Sequence, residues 1–185
     1  LPGTGDVIGK HRVLSVLGEG SFGVVYKVSE EGNGNIFALK LLKLWSIPYE
    51  KERDALQRRF NLEFETGRIK SDYLVHTEGS GMVKGNPYIL MDYLPNGDLR
   101  PRMKKQMPVD EIERYSIGIL KGLHDLHANG KVHRDLKPEN VLLDTNMNPH
   151  LTDFGIAGHK NIRMTEFDLF GKPKARFGTY AYMPP

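Results

Sequence analysis

The sequence predicts an α+β chain: an antiparallel sheet of five strands with one main helix in the first half, and a mainly helical second half. Three observations point there. Residues 11–42 alternate short apolar runs with glycine-rich turns, the pattern of antiparallel strands. Residues 50–70 and 109–129 instead carry apolar side chains at three- and four-residue spacing, the pattern of amphipathic helices. Between the halves, Pro95, Asn96 and Gly97 interrupt regular structure.

Composition sets the class. The 185 residues are 39% hydrophobic, enough for a packed core in one ordinary domain or two small ones. The 26 Lys and Arg are interleaved with 23 Asp and Glu, giving a net charge of +3 and a mixed solvated surface rather than a nucleic-acid-binding block. The absence of cysteine removes disulfides and thiolate metal sites and suits a reducing compartment, so a cytoplasmic location is expected. No apolar run approaches the roughly 20 residues of a membrane span, although an anchor outside these residues stays open. Residues 1–9 lack the apolar core of a secretory signal and read as a short leader.

The elements follow in order. Val13, Val16 and Leu17 form the first strand and lead into Gly18-Glu19-Gly20-Ser21-Phe22-Gly23, after which the β-formers Val24 to Val28 make the second. A turn at Gly32–Asn35 precedes a third strand, Ile36 to Leu42. G-x-G-x-x-G alone also marks dinucleotide sites, but those require a helix directly after the last glycine, and here a β-branched strand follows. In the helix at 50–70, Leu56, Phe60, Glu63, Phe64 and Gly67 share a stripe. A carboxylate on an apolar face is unfavourable unless paired, so Glu63 needs a cation, and Lys40 is the natural candidate; Glu65, the competing acid, lies off the stripe. Tyr73–His76 and Tyr88–Met91 read as the last two strands, with a turn region over 78–87. In the helix at 109–129, Ile112, Tyr115, Ile119, Leu123 and Leu126 face inward and Gly130 is the stop. His124 and His127 are three residues apart but lack a third ligand in a recognised arrangement, which favours surface or packing histidines over zinc.

Chemistry concentrates in residues 131–155. His133-Arg134-Asp135-Leu136-Lys137-Pro138-Glu139-Asn140 is followed, thirteen residues after Asn140, by Asp153-Phe154-Gly155. Phosphoryl transfer asks a protein mainly for positioning and charge: a carboxylate for the attacking hydroxyl and hard oxygen ligands for a metal ion. Asp135, Asn140 and Asp153 offer those groups. The run and its spacing resemble the catalytic loop and DFG motif of eukaryotic-type serine/threonine protein kinases.

The resemblance spans nearly the whole chain and implies a bilobal kinase fold: an N-lobe at 10–92, a hinge at 93–97, and a partial C-lobe at 98–185 that holds the catalytic loop and activation segment. It implies ATP and Mg²⁺, with Mn²⁺ as an alternative, and a protein substrate. Asp135 is assigned to the acceptor hydroxyl, Lys137 to the transferring phosphate, and Asn140 and Asp153 to the metal. Lys40, paired with Glu63, positions the nucleotide, and lies seventeen residues after Gly23 in Phe-Ala-Leu-Lys, close to the V-A-I-K pattern. Nucleotide contacts are implied for Leu17, Gly18, Glu19, Gly20, Ser21, Phe22, Gly23, Val25, Ala38, Met91, Asp92, Leu94, Asp98 and Leu142. Regulation is implied for Arg134, for a phosphate on Thr165, and for Thr179, which would bond near Asp135 and Lys137.

Preference for serine or threonine rests on Lys137 and on Gly178-Thr179. A nucleotide-binding scaffold without turnover and a small-molecule kinase are the alternative functions. The resemblance also implies that the chain stops inside the activation segment, which would leave Ile119 and Leu123 uncovered and the 185 residues alone poorly active on protein substrates.

Overall fold

A computed structural model describes residues 1–20 and 22–154 and the backbone of Gly158–His159. Its contacts divide the chain into two units, Leu1–Gln57 with Thr77–Tyr93, and Arg58–His76 with everything from Leu94 onward. The architecture is α+β.

The first unit is an antiparallel sheet of six strands: β1 (Val7–Ile8), β2 (His11–Glu19), β3 (Gly23–Glu30), β4 (Ile36–Leu42), β5 (Thr77–Val83) and β6 (Asn86–Asp92), in the order β1-β2-β3-β4-β6-β5. The strand beyond the five expected is β1, inside the stretch read as a leader; it pairs with β2 and its Ile8 is fully buried. Period-two alternation places Val24, Tyr26 and Val28 of β3 in one core with Val13, Leu39, Leu41 and Leu90.

The edge of this sheet differs from the sequence expectation. Residues 78–87 are not a long turn: β5 occupies most of them, and the turn is only Lys84-Gly85, both at positive φ (47° and 75°), which suits a tight two-residue hairpin. Gly79 and Gly81 disguise this strand. A Cβ on Gly81 would lie 2.5 Å from the Tyr88 ring, so glycine here lets an aromatic residue cover the strand. Tyr73–His76, expected as a strand of the same sheet, belongs to the second unit.

His11 sits in this unit at 3% exposure, edge-on to Phe37 (ring centroids 6.0 Å apart), with no hydrogen-bond partner on either ring nitrogen. Burial lowers its pKa against the opposing pulls of the nearby Ile8 backbone and the Glu30 carboxylate, while Lys10 adds to the lowering. A histidine held neutral contributes stability that is complete above its unfolded pKa of about 6.5 and is lost as pH falls below it, because the unfolded chain then binds the extra proton. The thermal midpoint should therefore fall between pH 7.5 and pH 5, and less so in His11→Phe; an identical slope in that variant would refute the assignment.

The residues of α1 (Glu50–Gly67) are divided between the two units after Gln57. Leu56, Phe60, Glu63 and Gly67 are buried along one stripe, Phe64 is half-buried, and Glu65 is exposed, as the periodicity predicts.

The second unit contains α2 (Arg100–Met103), α3 (Val109–Ala128), and the strand pairs β7 (Lys131–Val132) with β10 (Gly158–His159) and β8 (Val141–Leu143) with β9 (Pro149–Leu151). Its core joins Leu74, Leu99, Tyr115, Leu126, Val141, Leu143, Leu151 and Phe154. The apolar run at 73–76 is explained here: the Val75 N–H donates to the Leu151 carbonyl (2.8 Å), and the Leu151 N–H donates to the Tyr73 carbonyl (2.9 Å).

α3 buries Tyr115, Gly118, Gly122 and Leu126, and its C-terminal stop is Gly130 at φ 71°, as expected. Two expectations for this helix are corrected. Ile112 is 45% exposed, because the buried line runs through the two glycines rather than through its first turn. Ile119 and Leu123 pack partly against the core, and the exposed large apolar residues of the helix are Val109, Ile112, Ile117 and Leu120. Among the described residues, no helix is long and apolar enough to cross a membrane.

Candidate active site

In the second unit a single loop, between β7 and β8, gathers the chemistry. Its anchor is His133, 1% exposed, whose Nε2–H donates to the Thr152 carbonyl (3.0 Å) while its Nδ1 accepts the Asp135 N–H (3.4 Å). Both bonds require the neutral ring carrying its proton on Nε2, and burial lowers the His133 pKa in keeping with that form. The ring also meets Phe154 edge-on, centroids 5.8 Å apart, so one residue fastens this loop to the segment bearing Asp153.

The expected catalytic residues of this loop are brought together. Asn140, 5% exposed and ending a 3-10 turn at Pro138–Asn140, uses its Nδ2–H to donate to the Asp135 carbonyl (2.8 Å) and to Asp135 Oδ2 (3.1 Å). Lys137 Nζ lies 2.8 Å from the same Oδ2, and that hydrogen bond raises the lysine pKa, so a cation is held beside the carboxylate throughout the neutral range. The Thr152 N–H donates to the Asn140 carbonyl (3.0 Å), which brings the backbone before Asp153 onto the loop.

Arg134 and Asp153 both stand at positive φ, 66° and 61°, a left-handed conformation that costs non-glycine residues free energy and persists only where neighbours determine it. At both positions the tethers through His133 and Asn140 supply that determination. Because Asn140 donates through Nδ2, its amide oxygen remains the acceptor end. That amide oxygen and the Asp153 carboxylate are both hard oxygen donors, the type that suits a divalent ion.

The same unit positions Asp98 beside β8 through a bridge to Leu142, and Asp98 Oδ1 accepts the Arg100 N–H at 2.9 Å. Leu94 is buried.

In the first unit, strand pairing collects a second set of expected residues. Val25 lies opposite Lys40, and Ala38 opposite Met91, so all four share one face of the sheet, the face opposite the core residues Val24, Leu39 and Leu90. Asp92 ends β6 opposite Phe37. The glycine turn is closed by the Gly20 N–H donating to the Gly23 carbonyl (2.9 Å), with Leu17 and Phe22 exposed at its sides. Gly23 is demanded by proximity, since a Cβ there would come within 2.9 Å of the Leu41 carbonyl.

Some expected residues lie elsewhere. Ser21, Gly155, Thr165 and Thr179 lie outside the described residues. His124 and His127 are exposed helix residues, and among the described residues no group of three His, Asp or Glu side chains is placed to hold a metal ion. Sequence reasoning missed the Thr152 carbonyl, a backbone group with no signature of its own, and the tethering role of His133. The run of apolar residues around His133 is too short to have announced its burial.

Comparison with known proteins agrees with this arrangement. A family model described as "Protein kinase domain" matches residues 11–185. "Ribosomal protein S6 kinase alpha-1" of Rattus norvegicus is 33% identical over 179 residues, covering 94% of this chain and 23% of that protein. "Serine/threonine-protein kinase PKH2" of Saccharomyces cerevisiae is 33% identical over 92% of this chain and 16% of its own length. "Citron rho-interacting kinase" of Rattus norvegicus is 30% identical over 94% of this chain and 8% of its own. The chain thus spans less than a quarter of each of these relatives. With the whole stretch from His11 to Pro185 matched, and a catalytic loop whose aspartate, lysine and asparagine are joined by hydrogen bonds, the chain belongs to the protein kinase domain family.

Proposed function

We propose that the protein transfers the γ-phosphoryl group of ATP to serine or threonine hydroxyls of protein substrates. The observation that carries this reading is the Asp135 carboxylate fixed by Lys137 at 2.8 Å and Asn140 at 3.1 Å, in a loop tied to the segment of Asp153. A carboxylate so held is oriented to accept the proton of an attacking hydroxyl, and the adjacent lysine offers positive charge to the group in transit. Asn140 and Asp153 would hold Mg²⁺, or Mn²⁺, which supplies charge neutralisation on the phosphates.

Lys40, with the buried Glu63 as its partner, would orient the α- and β-phosphates, and the glycine turn would cover them. Val25, Ala38, Met91 and Leu142 would line the adenine, the Asp92–Leu94 backbone would hold its edge, and Asp98 would stand near the ribose. The matching division is an N-lobe at 10–92, a hinge at 93–97 and a C-lobe from 98. Arg134 would answer a phosphate on Thr165, the lone hydroxyl residue between Asp153 and Gly178, through charge-assisted hydrogen bonds, and Thr179 would serve the catalytic loop. The mixed surface charge supports a protein rather than a nucleic acid partner, and the lack of cysteine supports a cytoplasmic site of action.

The test is phosphorylation of a serine- and threonine-containing peptide library by the whole protein with ATP and Mg²⁺, read by mass spectrometry, beside Lys40→Met and Thr165→Ala. Modified serine or threonine in the parent and a loss of about a hundredfold or more in Lys40→Met are expected. ATP binding without transfer to any peptide would instead support a scaffold, and full activity of Thr165→Ala would remove the regulatory assignment.

A further inference from the structure

Resting on that reading, a residue outside the motifs deserves a role. Lys43 follows β4 and grips the glycine turn twice. Its backbone N–H donates to the Phe22 carbonyl (2.8 Å), and its Nζ donates to Glu19 Oε1 (2.7 Å). These contacts hold both arms of the turn, Glu19 closing β2 and Phe22 preceding β3.

Lys43 is itself held at a rigid corner. The Ser46 hydroxyl donates to its carbonyl at 2.7 Å, and the next residue, Leu44, donates its N–H to Oδ1 of the buried Asn86 at 3.1 Å. Asn86 Nδ2 in turn donates to the Lys84 carbonyl (2.8 Å) in the β5–β6 turn. The Lys43 side chain is only 12% exposed, whereas that of Glu19 is 50% exposed.

Charge makes this arrangement consequential. Glu19 is the one acid in Gly18–Gly23, a turn whose proposed ligand is the polyanionic tail of ATP. An uncompensated carboxylate there would repel the phosphates. We propose that Lys43 is a positioning residue for nucleotide binding, which neutralises Glu19 and holds the glycine turn in place for the phosphates. A half-exposed ion pair adds little to stability, so its effect falls on nucleotide affinity rather than on folding.

The experiment uses the whole protein as parent, Lys43→Met, Lys43→Arg and the double variant Lys43→Met with Glu19→Gln. ATP affinity is measured by calorimetry with Mg²⁺, KM and kcat on a peptide the parent phosphorylates, and the thermal midpoint by calorimetric unfolding. One uncompensated charge several ångströms from the phosphates at high effective dielectric predicts about a fivefold weaker Kd and higher KM for Lys43→Met. kcat should change by less than about twofold, since the acceptor chemistry is untouched. Lys43→Arg should keep the parent affinity, and removing the Glu19 charge in the double variant should recover affinity relative to Lys43→Met.

Unchanged affinity in Lys43→Met would overturn the proposal, as would no recovery in the double variant, or a loss that tracks the unfolding midpoint. A parent that binds ATP without turnover refutes the proposed reaction, yet the affinity series still decides the role of Lys43. A parent that binds no ATP refutes both.

Discussion

Asp135→Asn is expected to lower phosphotransfer by roughly a hundred- to ten-thousandfold, the range associated with losing a positioned general base. The substitution keeps the size of the side chain. Its amide oxygen can still accept from Lys137 Nζ and Asn140 Nδ2, which both address Oδ2 in the parent at 2.8 and 3.1 Å, so the loop should keep its shape. What disappears is the negative charge and the capacity to take a proton from the acceptor hydroxyl. ATP affinity should change by less than about twofold, because the proposed contacts of Asp135 are with the acceptor and not with the nucleotide. Steady-state phosphorylation beside calorimetric ATP binding checks both halves, and normal turnover in the variant would remove Asp135 from its assigned role.

The second large effect concerns stability. In Gly122→Val the new Cβ would lie 2.9 Å from the Tyr73 carbonyl oxygen and 3.0 Å from Leu151 Cδ1. The carbonyl cannot swing away cheaply, since it accepts the Leu151 N–H at 2.9 Å, and Leu151 is fully buried in the core of the second unit. Relief therefore requires α3 to move off β9. Glycine inside a helix ordinarily costs about 1 kcal/mol relative to alanine, so its place here reflects close packing against that propensity. Overpacking of this kind costs about 2–3 kcal/mol, which corresponds to a fall in the thermal midpoint of roughly 10 °C. Thermal unfolding followed by circular dichroism measures it, and a midpoint within about 1 °C of the parent would show that the helix yields without cost.

How far the sequence carried differs from element to element. α1 and α3 were legible because an amphipathic helix repeats its apolar residues over many turns, and the burial of Glu63 with the exposure of Glu65 follows from that period. β3 and β4 were legible through β-branched runs between glycine turns. β5 was not, since Thr77–Val83 holds two glycines in place of apolar side chains, and its partner Tyr88 supplies the cover from the neighbouring strand. The segment at 73–76 reads as a strand of the first sheet but bonds instead to Leu151, because local pattern records apolar character and not which backbone answers it.

The same division runs through the site. The sequence by itself determined which residue types would meet in the loop: the spacing of Asp135, Lys137 and Asn140 is local, and a short loop leaves those groups few alternatives. It also determined that a strand follows Gly23, not the helix that a dinucleotide-binding turn requires. Only the tertiary structure decided the neutral tautomer of His133, the left-handed backbone at Arg134 and Asp153, and the grip of Lys43 on Glu19 and Phe22. Each depends on backbone carbonyls or side chains from distant segments, which leave no periodic trace in the chain that supplies them.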